Sequence, residues 1–354
     1  MFFEWTWIVG LILGASAGSF LNVVIYRVPR GIPLGKPAKS FCPKCKSPLG
    51  VLDLFPLLSW LLLRGRCRHC GAKVSSRYFF VELLTGAIWA GIWYQYLVVQ
   101  WDLGRAIAYG LAAATLVAVI FIDWELYIIP DQVNAFLMLV GIGFNIWLFV
   151  RHDPAAVTWG MPSSLAGMLV GVGALWGVAM VGRLLFGKDA MGHGDIKMAR
   201  GIGALLFPTM ALASFAIAVV LGTVLGVAQV AIRAAATKGQ PEEPEDEDDE
   251  PYVPESIGSL VKSGIGYLLC LDVIGLAYPK LSISWFGEDP YEPIEDLEDF
   301  EVERTMIPFG PYLALGAIAA TVFEGQLQGG IHAYWHWALG GPAWVEHLRW
   351  IRGL

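Results

Sequence analysis

"AIAYGLAAATLVAVIFID", residues 106–123, runs seventeen residues without a charge and then stops on an aspartate. Crossing a bilayer as a helix takes roughly 20 predominantly apolar residues. Four further charge-free runs have comparable or greater length, at 132–150, 163–182, 201–232 and 305–323, and apolar stretches at 7–26 and 83–101 add two more. In lipid the backbone must satisfy its own hydrogen bonds, so a chain of this kind is helical throughout its spans. Only 16% of the 354 residues are charged and 56% are hydrophobic. A soluble domain carries about 25% charged residues, which excludes a large soluble all-α core. The expectation is an all-α polytopic membrane protein with about eight transmembrane helices. Pro208 divides the long run at 201–232 into two, and seven spans result if it does not.

The first twenty residues, "MFFEWTWIVGLILGASAGSF", are apolar but lack a basic leading segment. They read as a retained first span rather than a removable signal peptide. Orientation follows from the basic residues. Eleven of the 24 Lys and Arg lie between Arg27 and Arg77, beside a single acid, Asp53. The positive-inside rule places that loop in the cytoplasm. The loop at 183–200, with Arg183, Lys188, Lys197 and Arg200, falls on the same side. Residues 233–304 hold nineteen acids against five bases, a net −14 inside a chain whose total is −7. Eight of the ten residues 241–250 are acidic, a solvated run that builds no core of its own.

The cytoplasmic loop contains Cys42-x-x-Cys45 and Cys67-x-x-Cys70. Two such knuckles make a four-thiolate tetrahedral zinc site with no open position, hence a structural one. Two disulfides are the alternative, and a reducing compartment disfavours them.

Asp123 closes the third apolar run, and Asp195 follows the fifth in the turn "GKDAMGHGD", residues 187–195. Both runs travel in the same direction, so both acids reach the same membrane face. An ionisable residue at a membrane boundary is by default a functional hypothesis. Converging carboxylates can work as an acid and base pair on a water molecule. Gly192 and Gly194 leave room for a peptide backbone beside Asp195. The plainer reading of Asp195 is a helix cap, and "GHGD" alone is a weak motif.

Several blocks together are more specific. "GSFLNVVIYRVP" (18–29), "SWLLLRGRCRHC" (59–70), "YFFVELLTG" (78–86), "IDWELYIIPD" (122–131), "MGHGD" (191–195) and "IPFGPYLALGA" (307–317) occur in this order. In these blocks the chain resembles the type IV prepilin peptidases, also called leader peptidase/N-methyltransferases. The resemblance implies a GxGD-type aspartic peptidase of the bacterial inner membrane. Such an enzyme removes the basic leader of type IV prepilins or type II secretion pseudopilins at the cytoplasmic face. Bifunctional members then methylate the new N-terminal residue with S-adenosylmethionine. The family's catalytic aspartates fall on Asp123 and Asp195, and its zinc cysteines on Cys42, Cys45, Cys67 and Cys70. The implied partners are prepilin or pseudopilin substrates and membrane lipid, with no nucleic acid.

The expected organisation is a first transmembrane helix at 1–28, a zinc-binding loop at 29–77, a catalytic membrane core at 78–236, an acidic and largely non-core insert at 237–304, and a final helix with a Trp-rich tail at 305–354. The insert exceeds the family's short connection, and no GxGxxG marks a methyl-donor site. A presenilin-like intramembrane protease and a proton-linked carrier are the competing readings. The cysteine loop and "IPFGPYLALGA" argue against the first, and the glycines around Asp195 against the second.

Overall fold

The computed structural model describes residues 4–36, 40–42, 44–236, 254–292 and 308–338. The acidic run 241–250, Trp344 and Trp350 lie outside them. The chain is an all-α polytopic membrane protein. Five helical stretches are long and apolar enough to cross a membrane: Glu4–Arg27, Leu103–Leu126, Asp131–Val150, Ser163–Phe186 and His193–Gln229. A bent pair, Ile257–Leu268 and Leu271–Ala277, makes a sixth if counted as one span, with 69° between its halves.

These are the candidates by length and composition among the described residues. Helix α1 (Trp7–Arg27) matches its apolar run, and α2 (Leu58–Leu62) is a single turn in the cysteine loop. Helix α3 (Ser76–Ile92) has 17 residues before it widens into a π-helical turn at Trp93–Val99. Helices α4 (Leu103–Leu126), α5 (Asp131–Val150) and α6 (Ser163–Phe186) follow. Pro208 bends α7 (His193–Ala236), and the distortion falls on Phe207 with φ 61° and ψ 174°. Proline lacks the amide that the preceding turn would bond, so the rod breaks there. Helices α8 (Ile257–Leu268), α9 (Leu271–Ala277), α10 (Pro279–Phe286), α11 (Gly310–Val322) and α12 (Glu324–Ala338) complete the order. Helix α11 has 13 residues, about 20 Å at 1.5 Å per residue, short of a ~30 Å hydrocarbon layer.

Small residues set the spacing of these rods, as they do wherever lipid offers no hydrophobic drive for helices to meet. Gly167 of α6 and Gly203 of α7 face each other so closely that a Cβ on either would collide with the other's carbonyl. Gly141 of α5 likewise sits against the Ala204–Leu205 backbone. The first half of α7 is therefore wedged between α5 and α6. In α1, Gly10, Gly14 and Gly18 take Trp93, Trp89 and Glu82 of the α3 rod.

The insert is not a detached appendage. Leu260 and Tyr267 of α8 are buried in the main core. Arg200 of α7 and Asp272 of α9, each 1% exposed in the side chain, form a two-pronged ion pair at 2.7 and 2.5 Å. Lys262 and Asp272 break the apolar run at 259–278, and Asp272 is there because it neutralises Arg200. The expectation of a largely non-core 237–304 therefore fails for 257–286, where apolar residues and this pair fasten the segment to α6 and α7.

Candidate active site and cysteine cluster

Helix α4 starts where Asp102 accepts the Arg105 amide at 3.0 Å. It ends at Tyr127, whose left-handed φ of 55° lets its amide close the last turn on the Asp123 carbonyl. Asp123 thus lies one turn from the helix end, 5% exposed. Asp195 lies in the first turn of α7, where the amide of Ile196 bonds back to the Gly192 carbonyl at 3.3 Å.

Three small residues bring the acids together. Gly310, at the start of α11, lies against the Asp123 carboxylate, where a Cβ would sit 2.5 Å from Oδ2, and Gly192 lies against Asp195, where a Cβ would sit 3.1 Å from Oδ2. Ile129 packs against both Gly194 and Gly310, joining the turn before Asp195 to the glycine beside Asp123. The Asp123 carboxylate is near enough for its charge to act on Asp195. Asp195 Oδ1 is buried with no hydrogen-bond partner. An orphaned carboxylate oxygen beside a second acid is where a water, a proton or a substrate carbonyl would be held.

Residues that sequence reasoning missed join the turn before Asp195 to the segment 255–267. His193, inside the glycine turn, meets the Tyr267 hydroxyl through Nδ1 at 2.8 Å and Glu255 through Nε2 at 2.9 Å. A neutral ring that accepts from tyrosine and donates to glutamate satisfies both nitrogens. The Glu255 amide donates to Asp189 at 3.0 Å, and its carbonyl accepts from Arg183 Nε at 2.7 Å. Lys197 reaches Asp131 at 2.7 Å. Asp131 opens α5, and Glu125 pairs with Arg77. One signal was available: Lys197 and Arg200 are unusual in so apolar a setting, and Asp131 and Asp272 are their natural partners.

The four cysteines converge. Each knuckle follows a short bridge, Phe41 to Pro48 and Arg66 to Lys73. In the two turns Lys46 N bonds Cys42 O and Gly71 N bonds Cys67 O, the same closure twice. The four Sγ atoms all lie within 4.8 Å of one another, with Cys42 and Cys70 4.0 Å apart. A tetrahedral thiolate site with bonds of ≈ 2.3 Å has edges near 3.8 Å, whereas a disulfide would need ≈ 2.05 Å. Hydrogen bonds from the Ser47 side chain and backbone draw the Cys45 thiol down to about 6. Backbone amides of Cys70 and His69 lower Cys67. This set can hold a metal ion. Among the described residues it is the one such cluster; His332 and His336 of α12 form none.

Comparison with known proteins agrees with this layout. Residues 12–96 match the Bacterial Peptidase A24 N-terminal domain, and 110–227 the Type IV leader peptidase family. A prepilin leader peptidase/N-methyltransferase of Neisseria gonorrhoeae is 35% identical over 246 residues, 62% of this chain and 82% of that protein. One of Klebsiella pneumoniae is 39% identical over 202 residues, 54% and 82% respectively. One of Myxococcus xanthus (strain DK1622) is 32% identical over 313 residues, 87% of both chains. No solved structure matches. The helical fold and these matches make it a polytopic membrane peptidase. The chain belongs to the type IV leader peptidase family.

Proposed function

We propose that the chain removes the basic leader of type IV prepilins or type II secretion pseudopilins, using Asp123 and Asp195 as its acid and base. The observation that carries this is the buried, unpartnered Asp195 Oδ1 beside Asp123. In the reacting pair one carboxyl is protonated and the other ionised. The ionised oxygen takes a proton from water as its oxygen bonds the scissile carbonyl carbon. The protonated partner hydrogen-bonds the carbonyl oxygen, and a proton then passes to the departing amine as the C–N bond breaks. Gly310 and Gly192 let backbone lie against the two carboxylates, and Gly194 gives its side-chain space to Ile129, which ties the two turns together.

The site faces the cytoplasm of a bacterial inner membrane in this reading, on the side of the basic loop. Zinc is the ion the four thiolates suit, and with all four positions taken it holds the loop's shape and takes no part in cleavage. The relatives' names carry a second activity, N-methylation of the new terminus, whose donor is S-adenosylmethionine. The described residues include one pair of two-residue strands, Val157–Thr158 and Met161–Pro162, and no glycine-rich strand-to-helix turn. They make no Rossmann-type cradle for it.

The test is cleavage of a prepilin by the purified protein, with the product's new N-terminus read by mass. Loss of cleavage in both Asp123→Asn and Asp195→Asn, with folding and metal content retained, is expected. Turnover by either variant near the wild-type rate sinks the acid and base assignment.

A further inference from the structure

The cysteine loop carries an apolar turn that its metal chemistry does not explain. Leu52 and Leu62 are 73% and 80% exposed, and Leu54, Phe55, Leu58 and Leu61 are also exposed. They span 52–62, between the two cysteine knuckles. A water-facing loop would not keep six large apolar side chains together in so short a stretch.

The turn's depth is fixed by two contacts. The Leu57 amide donates to Glu82 Oε2 at 2.7 Å, and Trp60 packs on Phe79 with ring centres 5.3 Å apart. Residues 79–82 belong to α3. Glu82 lies level with Gly18 of α1, where a Cβ would meet the Glu82 Cα at 2.7 Å. Gly18 is nine residues before Arg27, the last residue of α1, which is about 14 Å along a helix. The turn therefore reaches on the order of 10 Å inside the end of a membrane span. That is the depth at which interfacial helices seat their apolar side, about 5–10 Å into the boundary of headgroups and acyl chains. Leu57 takes a φ of 63° to get there, a strained conformation for a bulky side chain. Glu82, 8% exposed, supplies the hydrogen bond that holds it. Around the turn, Lys46, Arg64, Arg66 and Lys73 are exposed, a basic rim suited to anionic headgroups.

We propose that residues 52–62 insert into the lipid leaflet and seat the cysteine loop on the membrane, with an anionic bilayer as the partner. The apolar turn continues the exposed surface of α3, where Phe79, packed on Trp60, meets Phe80, itself 54% exposed. The loop is thereby held beside the spans at two ends and by lipid at its middle. This stands whether or not the aspartate assignment does.

The experiment places a photoreactive benzoyl-phenylalanine at Leu52, Phe55 or Leu62 in the full-length protein. Each variant is reconstituted in nanodiscs of phosphatidylcholine and phosphatidylglycerol, irradiated, and analysed by mass. Phe20 is the lipid-facing control, and retained metal shows that the loop is folded. Lipid adducts at Leu52 and Leu62 comparable to those at Phe20 are expected. Yield at Leu62, next to Arg64, should fall in phosphatidylcholine alone while yield at Phe20 does not; equal yields overturn the role of the basic rim. Absence of lipid adducts at all three loop positions while Phe20 reacts overturns the proposal. So do adducts that form only to a second copy of the chain, or only when a prepilin is added.

Discussion

Replacing Gly310 by alanine should disable the site without unfolding the protein. A Cβ there would lie 2.5 Å from Asp123 Oδ2, 3.2 Å from its Cγ and 2.8 Å from Ile129 Cδ1. Ordinary contact begins near 3.4 Å, so the carboxylate oxygen is overlapped by 3.4 − 2.5 = 0.9 Å. Ile129 cannot retreat freely, because on its other side it touches Gly194. Asp123 must then swing by nearly its overlap. A misplacement of about 1 Å costs on the order of 10²-fold in rate, and overpacking of this size costs about 1–3 kcal/mol of stability. The assay is initial rate of prepilin cleavage at saturating substrate, beside thermal unfolding in the same detergent. Gly143→Ala is the control, since nothing lies within 4 Å of a Cβ at that position. A Gly310→Ala enzyme cleaving within about threefold of wild type, a difference under ~1 kcal/mol, would refute the packing argument.

Asp272→Ala leaves the Arg200 guanidinium buried without its partner. A loss of about 3–5 kcal/mol is expected, read by thermal unfolding, and Arg200→Met in the same chain should restore much of it. Tyr267→Phe removes the hydroxyl on His193 Nδ1; we expect kcat to fall with KM little changed, while a fall in Tm alone would make the contact purely structural. Cys42→Ser with Cys45→Ser should release the bound metal, checked by elemental analysis, and raise amide exchange between the two knuckles. Undiminished metal in that variant would mean the four thiolates are not the ligands.

What was readable in advance divides along physical lines. Long charge-free runs announce helices through their length alone, so α4, α5 and α6 were legible. The paired cysteines were legible because a ligand set has a spacing. Asp123 and Asp195 stood out because a charge at the edge of an apolar run is costly. The role of Gly310 was hidden, because a glycine pressed against a carboxylate leaves no trace in its own neighbourhood of sequence. His193 was equally silent, since its partners Tyr267 and Glu255 lie 74 and 62 residues away. The insert was misjudged because its composition is dominated by 241–250, whereas its packing is decided by Arg200 and Asp272. Pro208 announced the break in the long run at 201–232, which falls on Phe207; the π-helical turn at Trp93–Val99 left no comparable signal.

The facing glycines of α6 and α7 have a thermodynamic consequence. Burying oily surface in water leaves a large heat-capacity change, but two helices already in lipid exchange one apolar neighbour for another. What Gly167 and Gly203 secure is contact between backbones, a matter of atoms that are missing rather than of solvent expelled. Separation of these two rods should accordingly show a shallow temperature dependence, and cooling should not loosen it as it loosens a water-driven core. A peptidase anchored this way keeps the turn bearing Asp195 at one distance from its neighbours across a wide range of growth temperatures.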